Sequence, residues 1–300
     1  MTAENTGNRG PRAVGGPVLV GVDGSIESLA AVRWAANDAV LRDGKLRILY
    51  VDAHEDVPDA AATTHGAEIL DGAWRVALAE RPELRVATEL VHGHPARALA
   101  DAAGRAGGVL VMGRRGRGAV AGFVLGSVSR DVAGRTAGPT VVVPGHRTPL
   151  GSHIVLGVDG SDEAFHAAVF AFDEAALRGV RLTVVQAVTG SIPERSPDLI
   201  QTYVPEVELG AARERLSDWA AWWAPRYPEV DVAVAARPGD PAEVLTAAAA
   251  DAGLVVVGSR GRGRVRGLLL GSVSQSVMTG FPGPVAVIGG ESHYSRARGH

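Results

Sequence analysis

Two stretches of this chain carry glycine, arginine and serine at one shared spacing. Gly113, Gly116, Gly126 and Ser127 recur as Gly258, Gly261, Gly271 and Ser272, a Gly-x2-Gly-x9-Gly-Ser pattern both times. Glycine permits positive φ and close backbone approach, so successive N–H groups can turn toward one anion. A Gly-Ser pair at a helix start adds orphan N–H donors and the positive end of the helix dipole. That combination cradles phosphate. Arg114, Arg115, Arg117 and Gly118 fill the first loop; Ser259, Arg260, Arg262 and Gly263 fill the second. No Asp or Glu falls between Asp101 and Asp131, nor between Asp251 and Glu291. The chain has one lysine, Lys45, so phosphate charge must be met by main-chain amides and guanidinium groups. A solvated glycine-rich loop is the bland alternative. The same spacing after the same kind of strand, twice, favours a ligand loop.

Known phosphate signatures do not fit. Gly118 is followed by Ala119 and Gly263 by Arg264, so the Lys-Ser/Thr of a Walker A loop is missing. The dinucleotide fingerprint belongs after a first strand, and Gly116-Arg-Gly118-x3-Gly122 is one residue too long for it. Asp23 and Asp159, each in Gly-Val-Asp-Gly-Ser, could hold Mg or act as bases. With no second recurring carboxylate beside them, a ribose or loop hydrogen bond is favoured. Ser127 and Ser272 lack a nucleophile elbow and read as helix-capping or phosphate-contacting residues. His92 and His94 pair in one copy only, which argues against a metal site. Trp219, Trp222 and Trp223 read as core or interface packing.

The elements that position these residues are themselves duplicated. Val20–Ser25 recurs as Leu156–Ser161, 136 residues on, and Leu125–Ser129 recurs as Leu270–Ser274, 145 residues on. The second copy therefore carries about ten extra residues, placed at Thr189–Thr202. Val18–Val22, Ile154–Val158, Val109–Met112 and Leu254–Val257 are short apolar runs, as parallel strands buried on both faces require. Ser25 and Ser161 stand at helix N-caps, with Glu27 and Glu163 in the first turns. Gly44 and Gly179 are expected to end those helices. Second strands are read at Leu46–Val51 and Leu182–Val188, third strands at Leu84–Val91 and Val230–Ala236. The latter alternates as an edge strand does. Pro95 and Pro241 open further helices. Thr140–Val143 and Val285–Ile288 close each copy. The fold class is α/β: two tandem doubly wound, five-stranded, parallel-sheet domains of Rossmann-like, adenine-nucleotide-binding type. Boundaries are set at 17–145 and 152–290, with a flexible N-terminal tail (1–16) and a C-terminal tail (291–300).

Composition narrows the function classes. Hydrophobic residues at 46% and charged residues at 21% exclude disorder, and zero cysteines exclude a thiolate metal site or cysteine nucleophile. Net charge is −3 with neither half basic, so no nucleic-acid partner is expected. No apolar run is long enough for a membrane span, and no signal peptide is visible, so the expectation is a cytoplasmic protein.

The Gly-x2-Gly-x9-Gly-Ser pattern, Gly-Val-Asp-Gly-Ser after the first strand, and Val-Arg-Trp-Ala-Ala (Val32–Ala36) resemble the universal stress protein family in its tandem, ATP-binding, actinobacterial-like form. The resemblance covers nearly the whole chain. It implies ATP as ligand, with or without Mg. Gly21 with Asp23 and Gly157 with Asp159 would lie by the adenosine, and Val51 and Ala187 would line the adenine. The two glycine loops, with Ser127-Val128 and Ser272-Val273, would hold ribose and phosphates. Arg114, where the second copy has Ser259, departs from symmetry and is expected to alter or weaken the first site. The resemblance also makes the closing strands sheet edges, a hazard if left bare. They are expected to pair antiparallel within one chain as a pseudo-dimer; a further homodimer is allowed. The first functional reading is a nucleotide-dependent regulator of a stress or dormancy response, acting on an unknown protein partner. Alternatives are a slow ATPase or nucleotidyl-transfer enzyme, and an interaction scaffold independent of nucleotide.

Overall fold

The computed structural model describes residues 16–42, 44–53, 60–116, 125–145, 151–189, 204–261 and 270–290. The first half runs β1 (Val18–Val22), α1 (Ile26–Leu41), β2 (Leu46–Asp52), α2 (Ala60–Glu80), β3 (Val86–His92), α3 (Pro95–Ala106), β4 (Val109–Gly113), α4 (Ser127–Arg135) and β5 (Pro139–Val143). The second runs β6 (His153–Gly157), α5 (Asp162–Arg178), β7 (Arg181–Val188), α6 (Glu206–Trp223), β8 (Val232–Pro238), α7 (Pro241–Ala248), β9 (Ala252–Gly258), α8 (Ser272–Gly280) and β10 (Val285–Ile288). The tails, apart from Gly16, and nearly all of the Thr189–Thr202 insert lie outside the described residues.

All ten strands form one sheet in the order β3-β2-β1-β4-β5-β10-β9-β6-β7-β8. Neighbours are parallel within each half, and β5 pairs with β10 antiparallel. The expected intrachain seam is therefore present. Val141 faces Ala286, its own counterpart in the duplication, so an approximate twofold axis passes between them. All residues of β1, β4 and β5 are buried, which is why these runs carry no alternation. β8 is an edge strand, as its alternation predicted, and β3 is the other edge. Both start two residues later than expected. Leu84 and Val230 are spent in turns, their N–H groups donating to the carbonyls of Arg81 and Tyr227 at 3.2 Å.

Helices cover both faces. The alanines of α1 (Ala31, Ala35, Ala36, Ala39) pack close to the sheet alongside α2, α5 and α6, while α3, α4, α7 and α8 build the core on the other side. Ser25 and Ser161 cap as expected, accepting from the N–H groups of Ser28 and Ala164. Gly179 ends α5 in the left-handed region, but α1 closes at Arg42 and Gly44 follows two residues on. Trp223 is 2% exposed and stacks on Phe172 at 5.0 Å, whereas Trp222 is 62% exposed.

A buried ion network joins the halves. Arg42 bonds Asp38 on its own helix (2.7 Å) and Glu174 on α5; Arg178 bonds Glu174 (2.9 Å) and reaches back to Asp38 (2.6 Å). Asp38 and Arg42 lie 136 residues before Glu174 and Arg178, so the network repeats the duplication. Burial pushes the Glu174 carboxyl above the usual carboxylate range, against the pull of Arg42 and Arg178.

Candidate functional site

In the first half the chain turns from β1 to β2 on one side and comes back through β4 on the other, so the switch point lies between β1 and β4. A cleft of about 410 Å³ opens there, at the carboxyl ends of the strands. Leu49 and Val51 of β2, Met112 of β4 and Leu99 of α3 supply apolar wall. Asp23, the Gly113–Gly116 turn and the first turn of α4 supply the polar side. An apolar pocket with a few convergent polar groups is the usual form of a small-molecule site.

Hydrogen bonds shape the turn. The Arg114 N–H donates to Val143 O (2.8 Å), and Arg114 O accepts from the Gly126 N–H (2.9 Å). Ser129 Oγ donates to Gly113 O at 2.8 Å. The second half repeats these three bonds. Ser259 N–H donates to Ile288 O (2.8 Å), Gly271 N–H to Ser259 O (2.8 Å) and Ser274 Oγ to Gly258 O (2.6 Å).

The aspartates are placed by tight turns. Gly24 and Gly160 adopt φ of 79° and 78°, which glycine alone takes without strain. Asp23 Oδ1 then accepts from the Ser25 N–H at 3.0 Å, and Asp159 Oδ1 from that of Ser161 at 3.0 Å. The second carboxylate oxygen of each packs on the opposite loop. A Cβ on Gly116 would collide with Asp23 Oδ2, and one on Gly261 with Asp159 Oδ2. Gly21 and Gly157 pack against the ends of the Leu99 and Leu245 side chains, which a Cβ there would push aside.

Gly21, Asp23, Val51, Gly113, Arg115, Gly116, Gly126, Ser127 and Val128 all line the first cleft. Gly157, Asp159, Ala187, Gly258, Arg260, Gly261, Gly271, Ser272 and Val273 hold the matching places in the second half. Arg117, Gly118, Arg262 and Gly263 lie outside the described residues. The serines are not caps: Gly126 and Gly271 occupy the N-cap positions without side-chain bonds, and Ser127 and Ser272 are the first helical residues.

Two side chains depart from expectation. Arg115 Nε and Nη2 pair with Glu27 Oε1 at 2.8 Å, and Glu27 also takes the Arg115 main-chain N–H. The acid read only as favourable to the α1 dipole thus already holds one loop amide. Arg114 does not reach the cleft at all. Its Nη2 donates to Phe281 O at 2.5 Å and lies 3.4 Å from Gly283 O, across the seam. Phe281 caps the C-terminus of α8, where a cation and exposed carbonyls attract. Burial lowers the Arg114 pKa below its ordinary value, partly opposed by Glu27 and reinforced by Arg115. Ser259 is 1% exposed and its Oγ has no partner among the described residues.

Leu49, Leu99, Met112 and Arg130 also line the cleft, beyond the residues that the sequence pattern points to. Arg130 was visible as part of an acid-free segment; the apolar residues carried no signal separate from the core. Among the described residues no group of three His, Asp or Glu could hold a metal. His92 lies 3.7 Å from Asp52, and His94 stands at the α3 N-cap without a side-chain cap bond. No helix among the described residues is long and apolar enough to cross a membrane.

The profile of the Universal stress protein family matches residues 16–144 and 152–289. A universal stress protein of Mycolicibacterium smegmatis is 38% identical over 291 residues, covering 90% of this chain and 96% of the relative. One from Mycobacterium tuberculosis is 35% identical over 298 residues, covering 90% and 94%. The crystal structure of a universal stress protein from Archaeoglobus fulgidus superposes with a TM-score of 0.68 at 19% identity, covering 94% of this chain and 98% of that one. The last likeness bears on the fold alone.

Proposed function

This chain belongs to the universal stress protein family, and from that membership we propose that it is a regulatory protein that binds ATP in each half. The observation that carries the reading is the repeated Asp-on-glycine cradle. In both halves a β1-type aspartate packs on the α-carbon of the second loop glycine, so that any side chain there would fill the cradle. A group with an apolar face and an anionic tail fits such a cleft. Adenine would lie against Leu49, Val51 and Leu99. Asp23 would accept from the ribose hydroxyls. The amides of Gly116 and of Ser127 and Val128 would face the phosphates, with Arg130 beside them.

Arg115 enters that account only through its tie to Glu27, which holds the turn in place. Charge-assisted hydrogen bonds contribute about 1.5–3 kcal/mol each. Four or five of them, with a buried base, offset an association cost of about 4–15 kcal/mol and leave roughly micromolar binding. Nucleotide occupancy would order the loops and set a surface that a protein partner reads. The units acting as nucleotide modules would be 17–145 and 152–290.

Mass spectrometry of the denatured, freshly purified protein tests this, followed by calorimetric titration with ATP. Released adenine nucleotide, or two equivalents bound near micromolar concentration, is the expected result. A nucleotide-free protein with no heat of ATP binding overturns the reading.

A further inference from the structure

We propose that the two nucleotide sites are energetically coupled through Arg114, so that filling the first cleft strengthens binding in the second. The inference rests on the nucleotide reading above. Arg114 sits between Gly113 and Arg115, both of which line the first cleft. Its main chain is fixed by β5 on one side and by the N-cap of α4 on the other. Its side chain turns away from that cleft and crosses the seam to Phe281 and Gly283. Phe281 ends α8, and α8 begins at Ser272, in the Gly-Ser pair of the second loop. Ser274 Oγ then ties the same helix to Gly258. One helix of nine residues, about 1.5 Å per residue, therefore separates the guanidinium from the second site.

No side-chain bond from the matching position returns this contact among the described residues. The place of Arg114 is taken in the second half by Ser259, whose hydroxyl is buried and unpartnered. The contact is one-sided, but the coupling it carries acts equally in both directions, as linkage requires. Its sign follows from ordering. A ligand that fixes the Gly113–Gly116 turn also fixes Arg114 on Phe281, and α8 then loses less freedom when its own N-terminus meets phosphate.

Calorimetric titration of the full chain with ATP, comparing wild type with Arg114→Ser, tests the idea. Serine is what the second half carries at this place. In wild type the second equivalent is expected to bind about fivefold more tightly than the first, at the lower end of ordinary coupling. In Arg114→Ser two independent events are expected. Independent sites in wild type, or coupling that survives in the variant, overturns the inference and leaves the nucleotide reading standing; a single equivalent bound overturns both the inference and the reading of a site in each half. No ATP binding in either protein removes both. Should Arg114→Ser not fold, hydrogen exchange on Gly261→Ala decides. With the second cradle filled, ATP is expected to slow exchange at residues 277–283, and unchanged exchange there overturns the proposal.

Discussion

Asp23 Oδ2 occupies the space that a side chain on Gly116 would need. The relationship makes the glycine a requirement of the cleft rather than of loop flexibility. The first half cannot add a methyl group there without moving the aspartate, whose other oxygen is committed to the Ser25 N–H.

Gly116→Ala should therefore displace Asp23 and break that bond, an effect of about 1–3 kcal/mol if the freed groups find no new partner. ATP affinity in the first site should fall at least tenfold, with Gly261→Ala doing the same in the second. Calorimetry on each variant reads this directly. Wild-type stoichiometry and affinity in the double variant would count against the cradle.

The seam makes a second prediction. Val142 lies inside β5, between β4 and β10, and is fully buried. Proline there removes a ladder hydrogen bond in the middle of a sheet and leaves a buried carbonyl unpaired, at a cost of about 1–3 kcal/mol. Urea melts of Val142→Pro should shift by that amount. An unchanged midpoint would mean that β5 and β10 are not paired in solution.

Removing one arginine from the buried ion network should be costly. Arg42→Ala leaves Asp38 and Glu174 facing each other with Arg178 alone, and breaking such a pair costs about 3–5 kcal/mol. The penalty should depend on pH. Glu174 has its folded pKa raised by burial, so its stabilising share is fully present below the unfolded value and is lost as pH rises through the folded one. Losing Arg42 raises the folded value further. Thermal melts should show the variant closest to wild type in mild acid and furthest from it above neutrality. A penalty independent of pH would exclude Glu174 as the responsible group.

The tryptophans of α6 should separate sharply. Trp223→Ala removes a ring stacked on Phe172 and Tyr227-adjacent core and should cost about 3–5 kcal/mol. Trp222→Ala should change stability by no more than about 0.5 kcal/mol, because the ring is mostly in solvent. Equal effects in denaturant melts would contradict the packing described here.

Much of this was legible because buried parallel strands advertise themselves. Val18–Val22 and Val109–Met112 contain nothing but apolar residues and glycine, and only a doubly covered sheet asks for that. The cradle was legible through its duplication, since one glycine loop is weak information and two at one spacing are not. Side-chain direction was hidden. Arg114 and Arg115 are neighbours of one type in one turn, yet one meets Glu27 and the other crosses to Phe281. That choice depends on which carbonyls the second half presents, more than 160 residues away. Leu99 was equally hidden, because a leucine lining a cleft and one filling a core obey the same helical spacing.

The antiparallel seam puts two copies of one unit into a single polypeptide, and this changes what substitution can do. In a dimer of identical chains every replacement appears twice, mirrored about the axis. A long cation introduced near that axis would then meet its own image. Fusing the copies lifts the constraint: one half holds Arg114, the other keeps Ser259, and each can diverge without its twin.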